Sequence, residues 1–296
     1  GDGDIDLIIG DASDGNQINW WENPYPVYDP GTPWVRRTIH TSAANFFHDA
    51  IWGDFDADGA DEFIAWNQDA LQLLMFEIPA NPKSASSWPV TPIFSWSGGT
   101  RRYRGADAVD INLDGKTDFV GGCGWFEHTG GTGFIRHEID EGHGYTQVKA
   151  GQLIPGGRPE LVCLLEREAG PLNMYEWTGS AWQTRTLLAN VPRSHTLQLG
   201  DVNQDGSLDI LIGELGQWSG VSLPPDNPNA KVSVLYGDGI GNFTEQVVFT
   251  GQGHLEGQLA DIDNDGDLDI VTKPFRHNAP LAEIWLNQGS SLPLPD

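Results

Sequence analysis

The sequence predicts an all-β protein, a β-propeller of four-stranded antiparallel blades, on three observations. An acidic loop recurs along the 296 residues, the same order of short strands surrounds each copy, and 37 Gly and 19 Pro punctuate a chain that is 10% aromatic. Such a composition builds many short strands joined by turns, and a repeat of about 40 to 60 residues signals a propeller or a solenoid.

The loop has four full copies. They run through Asp54, Asp56, Asp58 and Gly59 to Glu62; Asp110, Asn112, Asp114 and Gly115 to Asp118; Asp201, Asn203, Asp205 and Gly206 to Asp209; and Asp261, Asp263, Asp265 and Gly266 to Asp269. Calcium takes about six to eight oxygen ligands at about 2.3–2.6 Å, and alternating carboxylates or amides before a glycine bend supply them from one short segment. An EF-hand opens in the same way but needs a glutamate at the twelfth loop position, where this chain has Ala65, Gly121, Ile212 and Thr272. Each loop also runs into a β-type apolar stretch rather than a helix. Four copies with one closing offset weigh against solvated acidic turns, so the Asp, Asn and Glu residues named are the expected structural Ca2+ ligands.

A fifth copy, Gln152 to Glu160, keeps the bend at Gly156 and Gly157 but has lost the alternating carboxylates, and is expected to bind no ion. Gly1 to Asp6 reads as the second half of another loop, a further calcium position if its first half lies upstream.

Around each loop a strand precedes, an apolar strand follows, and a third strand carries an aromatic often followed by Glu, as in Phe76 and Glu77, Phe126 and Glu127, or Tyr175 and Glu176. A fourth strand alternates, as in 34–39, 134–139 and 182–187. Four antiparallel strands per unit suit radial packing better than solenoid stacking. Six repeats are visible, the first without its innermost strand and the last without its outermost. The expectation is a single propeller domain over 1–296, truncated at the N-terminus, with seven blades when complete.

The formal net charge is −26, of which four calcium ions would offset about eight. The remaining acidity argues against nucleic acid and anionic membranes as partners. No apolar run reaches the roughly 18 residues that cross a bilayer, so no membrane insertion is expected. Simple calcium loops make most sense where calcium is abundant, which predicts a secreted, extracellular protein. Cys123 and Cys163 are either buried thiols or one bridge, and their different offsets from their loops favour buried thiols.

A second pattern lies six residues before the first loop aspartate, where the innermost strands begin. His48, Arg104 and His195 share that register, Tyr145 lies near it in the repeat with the degenerate loop, and His254 stands one residue further from its loop. The ends of the second strands reach the same mouth and add Lys273, Arg276 and His277, together with Glu166 and Glu214, while the Pro-rich stretch 216–230 carries Trp218. Trp66 and Trp125 either face a ligand there or pack between blades. A cationic mouth on an acidic protein suits an anionic ligand, and aromatic faces beside polar forks suit sugars.

The acidic loops, the Trp-Trp-Glu-Asn-Pro stretch at 20–24 and the Asp-Leu-Asp-Ile-Val stretch at 267–271 resemble the FG-GAP/VCBS-repeat proteins over essentially the whole chain. The resemblance implies a seven-bladed calcium-binding propeller in a superfamily that includes integrin heads, fungal lectins and carbohydrate lyases. The site composition is similar to that of propeller lyases acting on ulvan and rhamnosyl-glucuronate.

The resulting expectation is a polysaccharide lyase that cleaves uronate-containing glycans by β-elimination. His48, His195 and Tyr145 would be catalytic, and Arg104, His254, Lys273, Arg276, His277 and Trp218 would bind an anionic polysaccharide. The alternatives are a non-catalytic lectin or adhesion propeller, a scaffold module, and a hydrolase using Glu166 and Glu214.

Overall fold

The computed structural model describes residues 4–11, 14–97, 103–140, 145–166, 168–216, 227–274 and 281–289. These residues form six antiparallel sheets in a ring, a six-bladed β-propeller, with every sheet following chain order and no helix among the described residues.

The first blade has three strands, β1 (Leu7–Gly10), β2 (Gln17–Glu22) and β3 (Val35–Thr41). The second comprises β4 (Phe47–Gly53), β5 (Glu62–Asn67), β6 (Gln72–Phe76) and β7 (Val90–Ser95), and the third β8 (Asp107–Val109), β9 (Asp118–Val120), β10 (Gly124–Gly130) and β11 (Gly133–Glu138). The fourth is β12 (Thr146–Gly151), β13 (Glu160–Leu165), β14 (Gly170–Trp177) and β15 (Trp182–Val191). The fifth is β16 (Ser194–Gly200), β17 (Asp209–Glu214), β18 (Lys231–Gly237) and β19 (Phe243–Thr250), and the sixth is three-stranded, β20 (His254–Ala260), β21 (Asp269–Pro274) and β22 (Glu283–Trp285).

The hydrophobic pattern follows from radial packing. Near the axis both faces of a sheet are covered by neighbouring blades, so β5 and β17 are buried at every residue, whereas the outermost strand β19 lies almost wholly at the surface. Five apolar clusters fill the five seams between consecutive blades. Ile18 and Trp20 meet Phe63 and Phe76 in the first seam, Trp66 and Phe55 meet Phe119 and Phe126 in the second, and Trp125 meets Tyr175 in the third. Val162 and Met174 meet Leu197 and Ile210 in the fourth, and Val202 and Val234 meet Ile270 in the fifth.

The third-strand aromatics Phe76, Phe126 and Tyr175 are therefore seam residues. Trp66 and Trp125 are too, since both are buried and the Trp66 indole N–H donates to the Gly105 carbonyl of the next blade at 2.8 Å. At about 25 cal/mol per Å2 over roughly 150–250 Å2, each such ring contributes on the order of 4–6 kcal/mol at most.

Cys123 and Cys163 are bridged, which corrects the expectation of buried thiols. Cys123 lies in the turn between β9 and β10, Cys163 lies inside β13, and their Cα atoms are 5.8 Å apart. Equal offsets would matter only for equivalent faces of two blades, whereas a bridge joins facing sides of neighbours, which occupy different positions in the repeat.

The bridge closes a loop with a sequence separation of 40, for which chain entropy gives a stabilisation of about 4 kcal/mol. Replacing both cysteines by alanine is expected to lower the unfolding free energy by about that amount in denaturant titrations. An unchanged midpoint would show that the bridge does not staple the third and fourth blades.

Candidate functional site

The acidic loops sit at the turn between the first and second strands of a blade and share one hydrogen-bond frame. In the loop at 54–62, the Asp58 amide donates to Asp54 Oδ1 and to Asp56 Oδ1, Gly59 N–H donates to Asp54 Oδ2, and Ala60 N–H donates to Asp58 Oδ1, at 2.9–3.2 Å. The loops at 110–118 and 201–209 repeat all four bonds with Asn112 and Asn203 in the third position. The frame needs a left-handed residue at the sixth position, where Gly59, Gly115, Gly206 and Gly266 have φ of +91, +87, +88 and +96°. Nothing lies within 4 Å of a Cβ added there, so glycine is required by backbone conformation rather than by lack of room.

Ligand oxygens of Asp54, Asp56 and Asp58 lie within 4.8 Å of one another, as do those of Asp261, Asp263 and Asp265. This all-oxygen, flexible donor set fits a hard divalent cation. The closing residue has a further task. Glu62, Asp118, Asp209 and Asp269 are buried, and each accepts the backbone N–H of the second loop residue, Phe55, Ile111, Val202 or Ile262, at 2.8–2.9 Å.

Glu160 does the same for Leu153 at 2.9 Å in the loop that lost its other carboxylates, so this cap serves the fold even where no cation set exists. Burial pushes Glu62 up to about 7, with Asp56 and Glu77 adding to the rise and the Phe55 N–H opposing it.

Sequence reasoning missed one residue here. Glu77, from the third strand, lies within 4.8 Å of Asp56 and Glu62, and its counterpart Glu127 accepts a hydrogen bond from Asn112 Nδ2 at 3.2 Å. The aromatic-Glu pair was the signal, since the glutamate after a seam aromatic points to the neighbouring loop.

At the channel, β4, β8, β12, β16 and β20 or their flanks surround a polar cavity of about 100 Å3. Its charged lining groups are Asp49, Lys149, His195 and Glu256, with Gln147, Gln198 and Gln258 among its amides. Arg104, His195 and Tyr145 come together beside it around Glu166, the residue that follows β13. The Arg104 guanidinium pairs with Glu166 and lies 5.0 Å from the Tyr145 ring and 5.8 Å from the Phe46 ring. His195 Nε2 is 3.0 Å from Glu166 Oε1, and Gln147 donates to Glu166 Oε2 at 3.4 Å.

Burial by itself would raise the pKa of Glu166. His195 and Arg104 outweigh it and hold the carboxyl well below its usual range. The opposite ring nitrogen, His195 Nδ1, is 3.3 Å from Glu256 Oε1. The His195 side chain is 3% exposed and that of Glu256 59%, so a buried carboxylate, a buried imidazole and a solvent-facing carboxylate form one chain into the channel. Desolvation by the channel walls around it raises the pKa of Glu256, exposed as its side chain is, while His195 opposes the rise and Asp49 adds to it.

His48 makes a second pair. Its Nδ1 lies 2.9 Å from Asp49 Oδ2, which also accepts the Gly105 N–H at 2.8 Å. Burial pushes Asp49 up, but His48 outweighs it and the net shift is downward. Phe46 and Asp49, flanking His48 and its neighbour, have φ of 73° and 34°, a conformation that costs free energy in non-glycine residues and concentrates at functional sites.

The remaining expected residues separate. His254 is fully buried and faces Trp285 at 4.8 Å, in the seam rather than on the Glu166 cluster. A β-bulge in β20 makes Leu255 the extra residue, which brings Glu256 rather than His254 to the channel. Lys273 donates to the Pro274 carbonyl at 3.0 Å and does not line the cavity. Glu214 accepts hydrogen bonds from Asn227 and Lys231, away from Glu166. Trp218, Arg276 and His277 lie outside the described residues.

No protein-family model matches this chain, and no curated protein matches it. The geometry therefore carries the functional argument by itself.

Burial lowers the pKa of His254 from 6.5 to about 4, against a smaller upward pull from Glu283. Between those values the unfolded chain binds the proton and the folded one does not, so stability falls as pH drops from about 6.5 to about 4. The loss attributable to this group is about 3 kcal/mol. His254→Leu should remove that component from a plot of unfolding free energy against pH, and an unchanged slope would mean that His254 titrates freely in the fold.

Proposed function

We propose that this protein is a secreted, calcium-stabilised propeller that acts on uronate-containing polysaccharide by β-elimination in its central channel. The observation that carries the reading is the run Glu166, His195, Glu256, which shares one polar cavity with Asp49, the carboxylate paired to His48. Elimination needs two proton-transfer groups, one to take the proton next to the uronate carboxylate and one to protonate the departing oxygen. Two histidine–carboxylate devices on one channel meet that need.

In this reading Glu256, backed by His195, accepts the C5 proton. The electron pair left behind forms the C4–C5 double bond, the C4–O bond breaks, and His48 gives its proton to the leaving oxygen. Arg104 is a positioning residue, because it is 3% exposed and its guanidinium is committed to Glu166. Tyr145 lies against that guanidinium and supports it. The Glu166 carboxylate orients the imidazole as the buried acid of a hydrolase triad does.

Calcium would be held by Asp54, Asp56 and Asp58, by Asp110, Asn112 and Asp114, by Asp201, Asn203 and Asp205, and by Asp261, Asp263 and Asp265, each set with its closing carboxylate. Bound there, the ion supplies charge neutralisation that tightens the turn between the first two strands. Since an ion bound only by the folded state stabilises it by mass action, removing calcium with chelator should lower the melting temperature. One site held at a hundred times its Kd contributes about 2.7 kcal/mol. Equal melting curves with calcium and with chelator would remove calcium from the reading.

The catalytic assignment is tested with uronate polysaccharides, reading the ultraviolet absorbance of the unsaturated product. Glu256→Gln and His195→Ala should each lower the rate at least about a hundredfold while leaving the fold and metal content intact. Full saccharide binding with no unsaturated product from the native protein would replace the lyase by a lectin.

A further inference from the structure

Elimination next to a carboxylate requires a cation at that carboxylate, and Arg104 is committed elsewhere. We propose that Lys149 is the channel's anion anchor and that, with Gln198 and Gln258, it forms the subsite that takes the uronate carboxylate. This inference rests on the saccharide reading above and assigns its charge recognition to residues that the sequence pattern did not single out.

The placement follows from register. Lys149, Gln198 and Gln258 stand at the same offset before their respective loops, on β12, β16 and β20, and all three line the cavity. Among the described residues, Lys149 is the one cation of Lys or Arg type in its lining. Its ammonium donates to the Ala106 carbonyl at 3.0 Å and forms a long ion pair with Asp107, whose Oδ1 at 3.9 Å is beyond hydrogen-bond reach.

The other oxygen of Asp107 accepts the Ala150 N–H at 2.9 Å, so this carboxylate ties β12 to the third blade. An ammonium has three donors, and one of those of Lys149 is taken by the backbone. The side chain is 19% exposed, which leaves it desolvated enough for a strong charge contact and open enough to make one.

A cavity of about 100 Å3 admits a carboxylate with its hydrating water but not a whole sugar ring. The ring would lie in the channel outside the cavity, and Glu256, in the same lining, would be the carboxylate next to the carbon that carries the bound group. The ligand class is thus a glycan unit with a single carboxylate.

The test measures binding of glucuronate and of glucose by calorimetry to the full calcium-loaded chain and to two variants. Lys149→Met should weaken glucuronate at least tenfold and leave glucose unchanged. Gln258→Glu, which adds a negative charge at the same level, should weaken glucuronate alone even if Lys149→Met folds poorly. Glucuronate binding that survives both changes overturns the Lys149 subsite while leaving the saccharide reading standing. A native protein that binds neither glucuronate nor a uronate oligomer overturns both.

Discussion

A buried carboxylate that caps the turn between the first two strands of a blade is the contact on which the rest of this molecule depends. Glu62, Asp118, Glu160, Asp209 and Asp269 each place an oxygen 2.8–2.9 Å from the N–H of the second loop residue. Desolvation makes the contact costly, as the raised pKa of Glu62, Asp118, Glu160 and Asp209 records. Its return is geometric, because the turn fixes how the inner strand pairs with the second strand, from Gly53 opposite Glu62 to Ala260 opposite Asp269. A turn that slipped by one residue would exchange the two faces of both strands and empty the seams.

Register in turn decides what the channel contains. In β4, β16 and β20 a bulge interrupts pairing near the start of the strand, whereas β12 pairs without interruption. Each bulge adds one residue and re-aims its neighbours. This is how Asp49 and Glu256 reach the cavity beside His195. The Arg104, Glu166, His195 cluster stands out in an acidic chain because paired charges at 0–4% side-chain exposure cost several kcal/mol to desolvate.

The fold was legible in the sequence because its signals are local. Alternating acids, a glycine bend and an apolar second strand sit within a dozen residues, and the structure follows them in blade after blade. The common offset of His48, Arg104 and His195 from their loops was legible as well, since it is a property of the repeat, and of the three His195 lines the channel cavity. Three things were not. The bulge in β20 shifts His254 into the seam, and nothing in its composition announces an extra residue. The commitment of Arg104 to Glu166 spans a sequence separation of 62, a pairing only the ring creates. The bridge between Cys123 and Cys163 joins faces that the repeat alignment treats as unrelated.

The division between frame and site explains why this propeller reads as a single asymmetric centre. Loop positions repeat because each blade needs the same turn, while the channel positions on the same strands differ from blade to blade, giving Asp49, Gln147, Thr196 and Glu256 along one level. A ring of equal pockets would require those residues to repeat too. The fourth blade makes the point most clearly, for it has lost its loop carboxylates yet supplies Lys149 from its inner strand and leads directly to Glu166. Without the alternating acids at its turn, that blade retains the cap through Glu160 and gives the channel an ammonium and the carboxylate around which the histidine and arginine are ordered.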